Sequence, residues 1–397
     1  MGERFDVVVF GVTGFTGTFI LRVIASSRLF EGKTLAVAGR NEGKIRSVLA
    51  EVASQTGIDR ISSLPVLIAD VSDGEGLAAM AKRAKVVINA VGPYTLHGEA
   101  VYLETMAVKY SQLARENGVF VVGSCGFDTV PCDLGVDYLK RHFPGTLANV
   151  ETVVICELGT AGYSANTGTL HSVMLIVPNE LSRLWKGASR ELMPLSTPRS
   201  SHRPPCRMPL RHVRRGGLDG WAMPFPGYDK DIVARSQYYD FHVNGRRPVT
   251  ISTYFAISSV WYAIGLCAWL APFGLAALFP PTRKLLLAYP DKLSFGMFKS
   301  SGPSTQQIKE TRFSYYFYGK GWGSGQELDD AATAVCHGPD PGYNATAGFI
   351  ASAALAILND RPSMPKEGGV YTAASAFRDT RIYDYLADFG ITFTLLP

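Results

Sequence analysis

The sequence lacks the cysteine patterns that mark structural zinc sites and disulfide frameworks. Six cysteines occur in 397 residues, and none forms a CxxC pair or a cluster with histidine. This spacing predicts neither a metal site nor structural disulfides, and it favours a reducing, intracellular compartment. The apolar residues 5–10 begin almost at once, so we also expect no signal peptide.

Charged side chains are scarce, at 18% of the chain, and residues 248–282 contain none at all. The centre of this segment, residues 255–279, is apolar and long enough as one helix to cross a bilayer. Pro272 and Gly274 interrupt it, however, so a hairpin in one leaflet or an insertion lying on the surface fits as well. We predict contact with a membrane or lipid surface, and a buried helix of a second domain is the alternative.

Acidic residues are missing between Glu191 and Asp219, a stretch that contains six arginines and two histidines. We predict a basic loop over 194–217 whose positive charge suits anionic lipid head groups, with a merely solvated loop as the alternative. No aromatic residue is interleaved with these cations, so we do not expect the loop to bind nucleic acid.

A glycine-rich turn follows the first apolar run, since residues 5–17 read FDVVVFGVTGFTG. The pattern predicts a strand that passes into a helix through a turn containing Gly11, Gly14 and Gly17. Little side-chain bulk there lets backbone N–H groups approach a pyrophosphate, and the start of the helix adds partial positive charge. We assign Thr13 and Phe15 of the same turn to cofactor binding. An ordinary corner without a ligand is the alternative.

The residue after the second predicted strand, residues 35–38, selects the cofactor. A site that prefers NAD usually carries a carboxylate here for the ribose hydroxyl, whereas this chain carries Arg40. A guanidinium can pair with a 2′-phosphate, so we predict NADP(H) over NAD(H), with a solvated arginine as the alternative. A third strand over 65–69 ends at Asp70, which either contacts the adenine amino group or stabilises a turn.

Two further polar residues follow the fourth predicted strand, residues 86–90. Gly92 permits a close approach of backbone to ligand. Because ligands of a doubly wound sheet lie beyond the carboxyl ends of its strands, Tyr94 and His97 are placed near the nicotinamide.

A fifth predicted strand, residues 118–123, runs into a turn that contains Asp128. Asp128 is the only carboxylate of that turn. Its functional role would be to orient substrate or water or to relay a proton, and its structural alternative is to cap the helix that follows.

These elements predict an α/β protein with a Rossmann-type doubly wound parallel sheet and a second α/β domain that carries the apolar segment. We place the dinucleotide-binding domain at 1–135, the second domain at 136–337 and a C-terminal segment at 338–397. Later patterns predict a strand at 150–158, a helix at 168–184, a strand at 308–318, a helix at 342–358 and a strand at 391–395.

Taken together, the motifs resemble those of the saccharopine dehydrogenase-like oxidoreductases, a group near saccharopine dehydrogenases and mycobacterial trans-acting enoyl reductases. The shared pieces are GVTGFTG at 11–17, AGR at 38–40, NAVGPY at 89–94, VGSCGFDTVPCDLG at 122–135 and GPDPGYNATA at 338–347. The resemblance implies a Rossmann domain that binds NAD(P) and C-terminal helices that pack back on it. It also implies association with membranes or lipid droplets and a link to lipid or glycolipid metabolism. The C-terminal return favours a leaflet hairpin or a surface-lying insertion over a single span.

One departure from the family pattern concerns the centre of the sheet. After Gly98-Glu99-Ala100-Val101 the family usually continues through a longer helix and another strand, whereas Val101 here joins Tyr102 directly. Between His97 and Gly118 there is room for one helix and no strand, so one Rossmann strand is expected to be missing. The gap affects the nicotinamide pocket and leaves the phosphate-binding turn untouched.

The sequence therefore predicts an NADP(H)-dependent oxidoreductase that acts on a lipid-like substrate at a membrane or lipid-droplet surface. Hydride transfer would belong to the cofactor, with Tyr94, His97 and Asp128 as the polar candidates near the reacting centre. The alternative is a non-catalytic lipid-surface protein that retains a nucleotide-binding fold. A homo-oligomer and a mitochondrial location are left open.

Overall fold

The computed structural model describes residues 4–92, 99–171, 174, 193–198, 207–225, 227–323 and 330–397. Its strands are β1 (Phe5–Phe10), β2 (Leu35–Gly39), β3 (Val66–Ile68), β4 (Ala84–Asn89), β5 (Phe120–Val122), β6 (Thr146–Glu157), β7 (Ala165–Asn166), β8 (Arg211–Arg215), β9 (Leu218–Pro224), β10 (Thr250–Ile257), β11 (Phe298–Lys299), β12 (Arg312–Trp322), β13 (Asp330–Pro339), β14 (Gly369–Tyr371) and β15 (Thr392–Leu396).

The helices are α1 (Phe15–Ser26), α2 (Glu42–Thr56), α3 (Gly74–Lys82), α4 (Glu99–Glu116), α5 (Thr129–His142), α6 (Asp229–Asn244), α7 (Val260–Leu278), α8 (Pro280–Ala288), α9 (Pro290–Leu293), α10 (Thr305–Glu310), α11 (Thr346–Asn359), α12 (Ala373–Phe377) and α13 (Ile382–Asp388).

The first sheet is parallel and has the strand order β3-β2-β1-β4. Its central strand β1 is apolar on both sides, because Val7 and Val9 join the core beneath α1 and α2 while Val8 and Phe10 join a second core beneath α3. The chain reverses its direction across the sheet between β1 and β4, which is where a doubly wound fold binds its ligand. The predicted Rossmann-type α/β fold is confirmed.

In the part of the chain that the structure describes, this sheet ends at β4. The helix α4 leads to the strand predicted at 118–123, which is found as β5 and pairs with β14 in a separate two-stranded sheet. With room for only one helix between β4 and β5, the chain moves away before it can pair again, as the short spacing predicts. One face of β4 is consequently open, and Val87 on it is 36% exposed.

The second sheet has seven strands in the order β15-β13-β12-β6-β10-β9-β8. The β6–β10 pair is parallel and the other neighbouring pairs are antiparallel. One face, with Phe313, Tyr315 and Phe317 of β12, packs against α5 within the main core. The opposite face has a core of its own around Val153, Tyr316 and Tyr318.

The structure of the apolar segment 255–279 differs from its prediction in two respects. Residues 255–257 end β10, because backbone pairing with β6 holds them in the sheet. The helix α7 then runs without a break through Pro272, so a hairpin interrupted at that proline is wrong. Among the described helices, α7 is the one long and apolar enough to cross a membrane, and only 17% of its most apolar stretch is buried.

The basic loop predicted over 194–217 is wrong at its C-terminal end, where residues 211–215 form β8. Antiparallel pairing with β9 satisfies their backbone groups. The positive charge is also partly neutralised, because Arg211 and Arg207 lie 2.7 and 3.2 Å from the carboxylate of Glu151.

Two other predicted elements change their limits. Of the helix predicted at 168–184, residues 168–171 and 174 are helical and the remainder lies outside the described residues. The strand predicted at 308–318 begins only at Arg312, because Ser304 and Gln307 form a capping box that starts α10. Of the remaining predicted elements, the strand at 150–158 is found as β6, the helix at 342–358 as α11 and the strand at 391–395 as β15.

The C-terminal residues contact α1 of the nucleotide-binding half at one place and the helices α5 and α6 at another. The ring of Tyr343, just before α11, lies 4.8 Å from Phe15 and 5.2 Å from Phe19 of α1. Further along, Arg378 at the end of α12 forms ion pairs with Asp137 of α5 and Asp240 of α6. A buried charged network therefore joins three segments that are distant in sequence.

Asp133 of α5 is buried beside this network. Its Oδ2 accepts the backbone N–H of Ala374 at 2.7 Å. Burial raises the pKa of this carboxyl to about 7. A raised pKa in the folded state means that folding favours the neutral carboxyl. The contribution of Asp133 to the free energy of unfolding is therefore complete below its ordinary pKa and declines as the pH rises toward 7.

We expect Asp133→Asn to remove this dependence, because the amide stays neutral at every pH. The unfolding free energy of the variant minus that of the wild type should rise by about 3 kcal/mol from pH 5 to pH 8. Urea unfolding at both pH values measures it. Asp388→Asn, at an exposed position, is the control. If the difference in unfolding free energy between Asp133→Asn and the wild type does not change with pH, the raised pKa of Asp133 is contradicted.

Candidate functional site

The turn between β1 and α1 is held by the backbone of the neighbouring strands. The N–H of Gly11 donates to Ala38 O at 3.0 Å, and the N–H of Ala90 donates to Phe10 O at 2.8 Å. Gly11 has φ +90°, a conformation that favours glycine. The turn thus lies at the carboxyl end of the sheet, between β1 and β4.

Close packing inside the turn requires two of its three glycines. A Cβ at Gly17 would lie 2.3 Å from Gly11 O, and a Cβ at Gly11 would lie 2.8 Å from Val91 N. At Gly14 the nearest atom would be 3.4 Å away, which is ordinary contact, so that glycine is not forced by packing. The first turn of α1 is therefore pressed directly against the end of β1.

The start of α1 is open to an anionic ligand. Gly14 makes no side-chain cap, and the first turn contains no acidic residue. The first N–H groups of a helix have no partner within it and carry partial positive charge. Thr13 and Gly14 are exposed here, whereas the ring of Phe15 packs on Phe19 and Tyr343. Phe15 can accordingly contact an anionic ligand with its backbone N–H rather than with its ring.

Arg40 and Asp70 stand close together at the ends of β2 and β3. Asp70 accepts the backbone N–H of Ser72 at 2.9 Å and its hydroxyl at 2.7 Å. These bonds lower the pKa of Asp70, and the charge of Arg40 lowers it further. Asp70 therefore stabilises a turn, and its predicted contact with adenine stays a prediction. Arg40 itself is exposed.

The predicted nicotinamide end is described only in part. Gly92 is exposed, and a Cβ there would meet nothing within 4 Å, so the protein itself does not require glycine at that position. Tyr94 and His97 lie outside the described residues.

Asp128 is exposed and has φ +80°, an unusual backbone conformation for a residue other than glycine. It precedes α5 but makes no side-chain cap, so the predicted capping alternative is wrong. The turn is instead held from the C-terminal segment, because Phe127 donates its N–H to Thr346 Oγ1 at 3.1 Å. Strained backbone of this kind clusters at functional sites, and it leaves the carboxylate facing solvent.

Two carboxyls near Asp128 were not singled out from the sequence. Asp229, at the start of α6, is buried and accepts the hydroxyl of Tyr315 at 2.6 Å. Burial raises its pKa well above the ordinary value, and the charge of Asp128 raises it further. Asp340 is also buried, accepts the N–H of Tyr343 at 2.8 Å and has a pKa raised by burial. For Asp340 the signal was present in the GPDPGYNATA motif, whereas nothing in the sequence around Asp229 marks it.

Contacts through Tyr343 connect the glycine turn to these carboxyls. The ring of Tyr343 touches Phe15, while its N–H is held by Asp340. Tyr163 is 42% exposed, its pKa is raised by partial desolvation, and the carboxylates of Asp340 and Asp128 add to that increase. Tyr343 therefore links Phe15 of the glycine turn to the buried Asp340. Within the described ranges there is no group of side chains that could hold a metal ion.

The residues fit a nicotinamide dinucleotide at the phosphate end. The cradle at Gly11 and Gly17 is one that a Cβ would fill, the start of α1 is uncapped, and Arg40 stands where a ribose is bound in such folds. When bound, that cofactor supplies hydride chemistry, and the protein supplies binding and orientation.

Known proteins match the chain over almost its whole length. It is 42% identical to a lipid droplet localized protein of Caenorhabditis elegans, covering 99% of this chain and 98% of the relative. It is 33% identical to the human saccharopine dehydrogenase-like oxidoreductase, covering 99% and 97%. These alignments run over 420 and 423 residues, more than the 397 of this chain, so both relatives contain residues that it lacks. No family model matches.

A solved structure shows the same fold at low sequence similarity. Apo saccharopine dehydrogenase (L-Glu forming) from Saccharomyces cerevisiae has a TM-score of 0.51 and 14% identity, covering 99% of this chain and 100% of the enzyme. At this identity the likeness concerns the fold alone.

We expect Gly17→Ala to weaken NADPH binding about tenfold or more, because its methyl group would displace the amides of the turn. Fluorescence titration measures the dissociation constant. Gly74→Ala is the matched control, since a Cβ there meets nothing within 4 Å. Thermal melting shows whether the variant is folded, and the milder Gly14→Ala serves if it is not. If a folded Gly17→Ala protein binds NADPH with wild-type affinity, the turn at 11–17 is not the diphosphate-binding site.

Proposed function

The chain belongs to the saccharopine dehydrogenase-like oxidoreductases, and from this membership we propose that it is an NADP(H)-dependent oxidoreductase acting on a lipid-like substrate at a lipid-droplet or membrane surface. The observation that carries the proposal is the glycine cradle at 11–17, pressed against β1 and opening onto the uncapped start of α1. Such a turn binds a diphosphate through backbone amides, which is the feature that nicotinamide dinucleotides share.

The preference for NADP(H) rests on Arg40. No carboxylate follows β2 directly, and the exposed guanidinium lies close enough to Asp70 to lower the pKa of that carboxyl. A 2′-phosphate bound there would pair with Arg40 through charge-assisted hydrogen bonds. The ribose hydroxyl of NAD offers no charge for this guanidinium.

The lipid-like substrate is supported by two separate observations. The relative in Caenorhabditis elegans is named for its location on lipid droplets. In this chain α7 exposes an apolar face. Asp128 is then the described residue best placed to hold or move a proton near the reacting centre, with Tyr94 and His97 as further candidates. A link to lipid or glycolipid metabolism follows from the same substrate class.

A non-catalytic role is the second candidate, because the described part of the nucleotide-binding sheet ends at β4. A protein of this kind would retain the diphosphate cradle and the lipid surface while lacking a complete nicotinamide pocket. It would bind NADPH and turn over no substrate.

Arg40→Ala tests the cofactor preference. We expect the dissociation constant for NADPH to rise about 10- to 100-fold, since one charge-assisted pair is lost, while that for NADH stays unchanged. Calorimetric titration with both nucleotides measures it. Arg28→Ala removes an exposed arginine elsewhere on the same half and is the control. An unchanged ratio of the two constants refutes the 2′-phosphate role.

Turnover separates the two candidate functions. We expect the wild type to oxidise NADPH in the presence of a lipid carbonyl or enoyl compound, and Asp128→Asn to lower kcat about 10²-fold or more without changing NADPH binding. Absorbance of NADPH follows the reaction, and Asp388→Asn is the control for an exposed carboxylate. NADPH binding without turnover on either compound class favours the non-catalytic role. A fluorescent fusion distinguishes a droplet location from a mitochondrial one.

A further inference from the structure

The helix α7 presents an entire face that a soluble protein would make polar. Trp261 is 77% exposed, and Ile264, Leu275 and Leu278, which share its side of the helix, are exposed as well. No charged residue occurs anywhere in 248–282. Surface helices of globular proteins carry polar residues on the face that meets water, so this face is fitted to a different surrounding.

The opposite face of α7 is held against the protein. Phe273 and Ala277 are buried in a small apolar cluster with Leu286 of α8 and Phe298 of β11. Near the start of the helix, Cys267 lies 3.5 Å from Met223 of β9, sulfur to sulfur. These contacts fix the helix along the molecule's surface with its apolar face outward.

The topology on either side of α7 prevents it from spanning a bilayer. The strand before it, β10, and the strand after its return, β12, both pair with β6 in the same sheet. At 1.5 Å per residue the helix is about 28 Å long, close to the thickness of the hydrocarbon region, so length alone would permit a span. Because both ends lead back to one sheet, the helix can only lie in the plane of a lipid surface.

Cations follow α7 directly in the chain. Residues 280–300 contain Arg283, Lys284, Lys292 and Lys299 against the single acid Asp291, which accepts the N–H of Ser300 at 3.0 Å. Phe295, in the same segment, is 87% exposed. Basic residues beside exposed aromatic rings match a layer of anionic head groups above acyl chains.

We propose that α7 lies flat in a phospholipid monolayer, its exposed face among the acyl chains and Arg283, Lys284 and Lys292 at the level of anionic phosphates. The proposal rests on the lipid-surface part of the proposed function and names the surface that performs it. Trp261, Phe279 and Phe295 enter the lipid. Phe273, on the buried side of α7, keeps its contact with the apolar cluster that contains Phe298.

The experiment measures how the full-length protein partitions onto triolein droplets coated with phosphatidylcholine and phosphatidylserine. Leu275→Glu should lower the partition coefficient about tenfold or more, because a carboxylate would have to enter the acyl region. Leu113→Glu is the matched control, since Leu113 of α4 is 54% exposed and Leu275 62%. NADPH titration without lipid should be the same for both variants, so a failed cofactor site is recognised separately.

A second pair of measurements tests the orientation. Arg283→Glu with Lys284→Glu should lower binding about tenfold or more on the anionic droplets and little on pure phosphatidylcholine. A helix in the plane binds droplets, which have a single monolayer, as well as it binds bilayer vesicles of the same phospholipids. Binding to vesicles alone, or equal partitioning of Leu275→Glu and wild type, overturns the proposal.

Discussion

The close approach of Gly17 to the carbonyl oxygen of Gly11 is the contact on which the nucleotide-binding half depends. It presses α1 against the end of β1 and leaves the first amides of the helix without partners from the protein. Partial positive charge is then concentrated at the point where the strand order reverses. A single methyl group at either glycine would separate the helix from the strand, so the electrostatic property depends on steric fit.

The same turn also connects the two larger sheets of the molecule. Phe15 directs its ring away from the amide cradle and into contact with Tyr343, whose backbone is fixed by Asp340. Thr346 then holds the backbone before Asp128. The C-terminal segment therefore positions both the outer side of the cradle and the turn that carries the exposed carboxylate. This arrangement accounts for a site assembled from residues more than 300 positions apart in sequence.

The predictable features are those set by short-range pattern. The run FDVVVF followed by three glycines gives β1, the turn and α1, because a continuous apolar run and the glycine spacing act within a few residues. The limits of α10 and β12 were missed because a capping box extends the helix into a strand-like sequence. The strand at 211–215 was missed although Gly216 and Gly217, both with positive φ, join it to β9 in a two-residue hairpin. The pairing of β5 with β14 and the buried Asp229, by contrast, depend on partners far away in the chain. No local pattern encodes them, since tertiary contacts decide the outcome.

The pairing of β5 with β14 has a consequence for biosynthesis. The first of these strands ends at Val122 and the second begins at Gly369, so β5 leaves the ribosome long before its partner does. Domains usually fold in order from the N-terminus as they emerge, and long-range strand pairs form late. β5 therefore stays without the partner strand of its sheet until the segment that contains β14 has been translated. Chaperones would meet it in that state.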